Sequence, residues 1–368
     1  MRKVWIEAAL NGSWGRALQP GIPDTVETII AEGVACANAG ATIVHVHAYD
    51  GGGPQTYDWQ VYARIIEGIR NQVDVPVYPS YPAFITTGSD SSPLADAAAR
   101  FADIEELAAR GLLDFAVIDP GSVNLSLTKI TEAAAPGGTY MNPESQIRYA
   151  LDFATRHGLH TDFAIYEPGF LRAGAALARA AGAKVPIYRL MFCNLIAVGL
   201  PPKPYALAAY HALLEEEAPG APWMIAGVSA DLRPLFTETI ARGGHIRVGL
   251  EDAPLGTTVT NVELVEEAVR LVREHGAEPA TLPKCGRRWT RSADRSDRRG
   301  ARLESSSGQN RFQRFALLDD VIEERGNARH AADVGMRQQP PASRQFRDRA
   351  EHADQIRLRV AERGRQRP

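Results

Sequence analysis

Residues 223–250 read WMIAGVSADLRPLFTETIARGGHIRVGL and hold one complete unit of the pattern that organises the chain. An apolar run (223–228) leads into a helix-spaced segment (231–243), and a second apolar run (245–250) follows. Short apolar runs bounded by turn residues bury as strands, while spacing of three and four buries one face of a helix. The same alternation recurs on either side. Strand-like runs stand at 3–10, 42–47, 75–79, 114–118, 162–166 and 185–191, and helical segments at 24–39, 57–72, 93–110, 143–158, 169–182, 204–217 and 259–275. The third helix is expected to be capped at SSPL (91–94) and the seventh at Ser229-Ala230. Eight strand–helix units predict an α/β fold, a (β/α)8 TIM barrel. A doubly wound sheet is the competing layout, but no GxGxxG follows the first strand.

The composition agrees with a large folded core. The chain of 368 residues is 45% hydrophobic and 23% charged with net charge −3, which excludes disordered, collagen-like and disulfide-stapled classes. No apolar run approaches the ~18 residues of a membrane span, and Glu7 arrives too early for a secretory leader. Cys36, Cys193 and Cys285 form no CxxC pair, so the expectation is a cytoplasmic protein in a reducing compartment. The average charge hides two populations. Residues 285–368 carry 20 Arg, no Lys and 12 acids, against 21 basic and 32 acidic residues in 1–284. The expected division is a catalytic barrel over 1–281 and a mostly disordered Arg-rich tail over 282–368. A nucleic-acid arm is the lesser reading of that tail, since basic residues supply phosphate contacts but name no sequence. No nucleic-acid or membrane partner is expected.

Catalytic groups of a barrel stand at the C-terminal ends of its strands and on the loops that follow. His45 and His47 end the second strand. Strand side chains alternate faces, so both imidazoles point one way and Val44 and Val46 the other, a disposition that suits a divalent metal such as zinc. The eighth strand ends in Glu251 and Asp252 at the same barrel face. One carboxylate suits a metal and the other a base, with Arg247 near enough to hold it ionised or to bind an anionic substrate. The competing reading is an Arg–carboxylate ion pair closing the barrel. Asn11 follows strand one and Ser80 strand three, both placed to face a substrate. Ser122 and Asn124 follow strand four and offer polar groups to an anion or oxyanion. Cys193 past strand six reads as buried packing.

These residues also carry a resemblance. The opening AALNG (8–12), AGATIVHVH (39–47), Pro79-Ser80, PGSVN (120–124) and above all HIRVGLED (245–252) together resemble the β-keto acid cleavage enzymes, over residues 3 to about 281. The resemblance implies a (β/α)8 barrel with Zn2+ held by His45, His47 and Glu251. It implies Asp252 as general base supported by Arg247 and Ser80, with Ser122 and Asn124 on a loop lining the substrate site. The implied reaction joins a β-keto acid with acetyl-CoA and yields acetoacetate and a new CoA thioester. A homo-oligomer, a tetramer, is implied as well. The chain departs from the family pattern at Ala164, where many members have an acid, at Trp14, near an acid of the named member, and in SYPAF (80–84), where relatives often have STGGA. These departures point to a neutral or apolar side chain on the keto acid.

Two other classes compete. A metal-dependent hydrolase of the amidohydrolase kind wants HxH on the first strand and further His ligands after strands five and six. A non-catalytic zinc-binding barrel would keep the three ligands without needing Asp252 beside Arg247. The break after EHGAEPAT (274–281) carries one more expectation, that residues from about 282 are a frameshifted read-through. If LPKCG (282–286) is encoded CTG-CCG-AAG-TGC-GGN, restoring one C gives Pro-Ala-Glu-Val-Arg, the ending the resemblance implies.

Overall fold

The expected alternation folds as eight parallel strands ringed by eight helices. The computed structural model describes residues 1–51, 53–87, 96–126 and 138–281, and the expected tail lies outside them. The barrel strands are β1 (Ile6–Ala9), β2 (Ile43–Val46), β3 (Val77–Pro79), β4 (Phe115–Ile118), β5 (His160–Ile165), β6 (Ile187–Cys193), β7 (Trp223–Val228) and β8 (His245–Val248). Between and after them run α1 (Val26–Ala39), α2 (Trp59–Arg70), α3 (Ala97–Ala109), α4 (Glu144–His157), α5 (Pro168–Ala181), α6 (Pro204–Glu217), α7 (Arg233–Ala241) and α8 (Asn261–Glu274). The spatial order β3-β2-β1-β8-β7-β6-β5-β4 is that of a barrel, with its seam between β3 and β4. Side chains bridge the seam: Tyr81 donates its hydroxyl to the Phe115 carbonyl at 3.3 Å, and the Tyr78 and Phe115 rings stand 5.3 Å apart.

Local chemistry explains the elements. In α2, Val61, Tyr62, Ile65, Ile66 and Ile69 form one buried stripe. Each fully buried aliphatic side chain contributes ~1.5–3 kcal/mol, enough to fix which face of the helix meets the sheet. Helix α8 starts in a capping box, with Thr260 and Glu263 satisfying each other's backbone N–H groups. The expected caps are otherwise. Helix α3 is capped by Asp96, whose carboxylate accepts from Ala99 N, while SSPL lies outside the described residues. Helix α7 begins at Leu232 with no side-chain cap. Ser229 instead takes a positive φ of 50° and accepts from Leu255 N, so it turns the β7 loop.

The barrel interior is layered. Ile43, Tyr78, Phe115, Ile187 and Met224 close the floor with Trp5 and Val117, and Ala164, Met191 and Ala226 line the upper wall. Because strand residues two apart share a face, Arg189 falls between Ile187 and Met191, and a buried polar layer of Glu7, Asp162, Arg189 and Arg247 separates floor from mouth. Above the mouth lies a small antiparallel sheet of Ile85–Thr87, Gly138–Tyr140 and Val123–Leu125. These three strands fall outside the eight apolar runs of the sequence pattern.

Strand β8 ends where Gly249 takes φ 136°, a left-handed conformation that turns the chain sharply. A Cβ there would meet the Ala9 carbonyl oxygen at 2.0 Å. Gly249→Ala is therefore expected to cost at least ~2 kcal/mol, through strain and a forced separation of β1 from β8. Urea denaturation checks it.

Candidate active site

The turn after Gly249 aims two neighbouring carboxylates in different directions. It is tied down on several sides. Asn261 accepts from Leu250 N at 2.8 Å and donates to the Leu10 carbonyl at 2.8 Å. The Trp14 indole donates to the Glu251 carbonyl at 2.7 Å, and Gln19 donates to the Leu250 carbonyl at 3.0 Å. Gly12 presses against this turn, since a Cβ on it would meet Glu251 Cγ at 2.7 Å. So held, Glu251 faces the histidines of β2. Its Oε2 stands 3.3 Å from His45 Nε2 and its Oε1 3.5 Å from His47 Nε2. The two imidazoles meet edge to face at 5.2 Å, and one ligand atom from each of the three residues lies within 4.8 Å of the others.

Asp252 faces Arg247. Its Oδ1 accepts from Arg247 Nε at 3.1 Å and Nη2 at 2.9 Å, and its Oδ2 accepts from Gly227 N at 2.8 Å. The same Nη2 meets Glu251 Oε1 at 2.6 Å, and Nη1 donates to Glu7 Oε1 at 3.3 Å. Tyr78 donates its hydroxyl to that Glu7 oxygen at 2.6 Å and lays its ring 4.5 Å from His45. One guanidinium, 1% exposed, thus joins both carboxylates to the first strand.

Electrostatics sort the groups. Burial pushes His45 well below its ordinary pKa, leaving a neutral imidazole with a free lone pair. Burial opposes the charge on Glu251 too, but Arg247 overcomes it and holds the carboxyl well below the usual range. Burial, reinforced by the charge on Glu251, raises Asp252 against the pull of Arg247, making it the more basic of the pair. Burial lifts Glu7 to about 7.

The trio is suited to a divalent metal ion. Two ligands each ~2.05 Å from a tetrahedral ion such as zinc stand ~3.3 Å apart, and the two Glu251 oxygens stand 3.3 and 3.5 Å from His45 Nε2 and His47 Nε2. Glu251 Oε2, though buried, accepts no hydrogen bond.

A cavity of about 530 Å³ opens over these groups, lined by His45, His47, Ser80, Arg189, Arg247 and Glu251 on its polar side. Trp14, Tyr57, Tyr81, Ile85, Leu125, Tyr166 and Met191 supply much of the apolar wall. His45 and His47 are its only histidines among the described residues, short of the set the hydrolase reading wants. Ser80 reaches the wall and spends its hydroxyl only on a long 3.4 Å bond to the Tyr81 carbonyl. Other expected residues lie off the lining. Asn11 is fully buried, donating to the carbonyls of Pro23 and His47 at 3.0 Å each and accepting from His47 N at 2.9 Å. Its amide holds the end of β2. Ser122 and Asn124 are exposed. Ser122 Oγ accepts from Asn142 N at 2.8 Å, and Asn124 accepts from the Thr139 hydroxyl at 3.0 Å. Leu125 and Tyr140 of the small sheet, with Asn142 just beyond it, line the cavity instead. Asp252 lies behind Arg247, off the lining. Cys193 is a buried thiol. The sequence reading missed Glu7 and Arg189, although each is a charge inside an otherwise apolar strand, and Asp162, which follows His160 and Thr161 at the polar start of β5.

A barrel with convergent ionisable groups at the C-terminal ends of its strands is built as an enzyme. The chain matches the beta-keto acid cleavage enzyme family over residues 3–288, belongs to it, and is an enzyme. It is 28% identical over 289 residues to the 3-keto-5-aminohexanoate cleavage enzyme of Fusobacterium nucleatum subsp. nucleatum, covering 76% of this chain and 95% of that protein. It is 26% identical over 286 residues to the 3-oxoadipate:acetyl-CoA acetyltransferase of Cupriavidus necator, covering 75% and 91%. Among solved structures it resembles ObcA in binary complex with oxaloacetate, with TM-score 0.52 and 15% identity over 71% of this chain and 66% of that one. That likeness is one of fold.

Asn11→Ala would strand the buried His47 N–H and two carbonyls. The expected loss is ~1–3 kcal/mol of stability, read from a urea titration, with His47 no longer fixed at its main chain.

Proposed function

We propose that the chain is a zinc-dependent β-keto acid cleavage enzyme that turns a β-keto acid and acetyl-CoA into acetoacetate and a new acyl-CoA. The observation that carries this reading is the convergence of His45, His47 and Glu251 beside the Arg247–Asp252 pair. His45, His47 and Glu251 would hold the zinc, whose Lewis acidity would make the methylene between keto and carboxylate groups more acidic. Asp252 would take that proton, a role that requires its carboxylate to reach past Arg247 from its place off the cavity lining. Arg247 keeps Asp252 oriented, and Ser80 presents its hydroxyl to the substrate from β3. The carbanion then attacks the thioester carbonyl and expels CoA thiolate. The thiolate adds to the original keto carbon, the carbon–carbon bond breaks, and acetoacetate leaves after regaining a proton. The apolar walls keep water from the thioester meanwhile.

The remaining expectations stand with this reading. Cys36 and Cys193 are free, buried thiols, which supports a cytoplasmic setting. No described helix is long and apolar enough to cross a membrane. The tetramer and the division at 281 follow from the resemblance and the composition.

A panel of β-keto acids with acetyl-CoA and zinc is expected to give acetoacetate for at least one member, and none across the panel ends the reading. Asp252→Asn should keep bound zinc while turnover falls at least ~100-fold. His47→Ala should lose both metal and activity. Metal analysis beside the kinetics separates the two, and equal zinc loss in both variants would mean that the carboxylates are assigned the wrong way round or that both bind metal.

A further inference from the structure

Arg189 sits mid-strand on β6 and is 4% exposed, yet its Nε is buried with no hydrogen-bond partner. Its nearest acid is Asp162 on β5, with Nε 3.5 Å from Oδ1, and neither of those atoms is hydrogen-bonded. Arg247, in the same layer, is the contrast: its guanidinium meets the carboxylates of Glu7, Glu251 and Asp252. A guanidinium carries five donors and a charge that cannot be shed. Burying one with a donor unused and its charge met by one acid at 3.5 Å is costly unless something completes it. The open side of Arg189 is the cavity that it lines together with His45 and Glu251. In the β5–β6 ladder its partner is Ala164, which lines the same cavity. Ala164 alone suggests a neutral wall, but its ladder partner makes that wall cationic.

We infer that Arg189 binds a carboxylate of the substrate. The inference rests on the proposed reaction for its substrate class and on the incompletely paired guanidinium for its residue. Two carboxylates could fill the place: the one beside the reacting methylene, or a second one at the far end of a dicarboxylic keto acid. Both offer two oxygens to the planar fork of donors, which a neutral or aminated group does not.

The test compares 3-oxohexanoate with 3-oxoadipate, equal in chain length and different by one carboxylate, in the zinc-loaded enzyme and in Arg189→Gln. Glutamine keeps amide donors and removes the charge. KM is expected to rise on the order of tenfold or more, with kcat changing less. A rise for both acids identifies the reacting carboxylate, and a rise for 3-oxoadipate alone identifies the distal one. Arg189→Lys should recover part of the loss. Because Arg189→Gln leaves Asp162 without its counter-charge, Arg189→Gln/Asp162→Asn provides a second background, with thermal melting to confirm folding. Binding of malonate, a non-reacting dicarboxylate, is measured calorimetrically on the same proteins and should weaken in parallel. A folded variant with unchanged KM for both acids and unchanged malonate binding overturns the inference. Wild-type protein that cleaves no acid while malonate binding still depends on Arg189 overturns the reaction and leaves the carboxylate site standing.

Discussion

Arg247 reaches from β8 to three carboxylates, and that one buried guanidinium decides where the others can stand. Breaking a buried ion pair by removing one partner typically costs ~3–5 kcal/mol, because a charge is then left without compensation. Without Arg247, Glu251 and Asp252 would be adjacent like charges in a low-dielectric interior, and one of them would take up a proton. With it, the two separate in basicity: Glu251 stays ionised toward the histidines, and Asp252 is raised behind it. The third contact, to Glu7, ties this pair to β1, and Tyr78 extends the tie to the ring of His45. Glu251, Asp252, Glu7 and, through Tyr78, the ring of His45 are thus connected to a single cation.

Positions of the site were legible in the sequence where the strand period governs them. His45 and His47 face one way because they are two apart on a strand, and Val44 and Val46 pack outward into the core beneath the helices. The eight-fold alternation gave element boundaries close to those observed, since the helix faces and strands differ sharply in apolar spacing. Glu251 and Asp252 were legible as a pair but not in their separate directions. Those depend on Gly249, whose positive φ ends the strand alternation two residues earlier.

Other parts were illegible for physical reasons. A charge within an apolar strand, as in Glu7 or Arg189, reads as outward-facing until the ladder fixes which side is the interior. Ser122 and Asn124 belong to a turn-rich stretch, and its pairing with Gly138–Tyr140 is non-local, so short-range pattern is silent about it. Asn11 carries the residue type of a binding loop but spends its amide on the main chain of β2. Residue chemistry names candidates. Only the register tells which of them reach the cavity.

The seam between β3 and β4 gives the ring an uneven stiffness. On the side of the trio, β2, β1 and β8 are stitched by continuous ladders, so any distortion there must break backbone hydrogen bonds. At the seam, the wall is joined by side chains, among them Tyr81 on the Phe115 carbonyl, Tyr78 against the Phe115 ring and Arg70 reaching both the Val77 carbonyl and Asp114, and side-chain contacts slide more cheaply than ladders unzip. The barrel is thus a hoop closed by backbone ladders around the trio and by side chains where β3 faces β4.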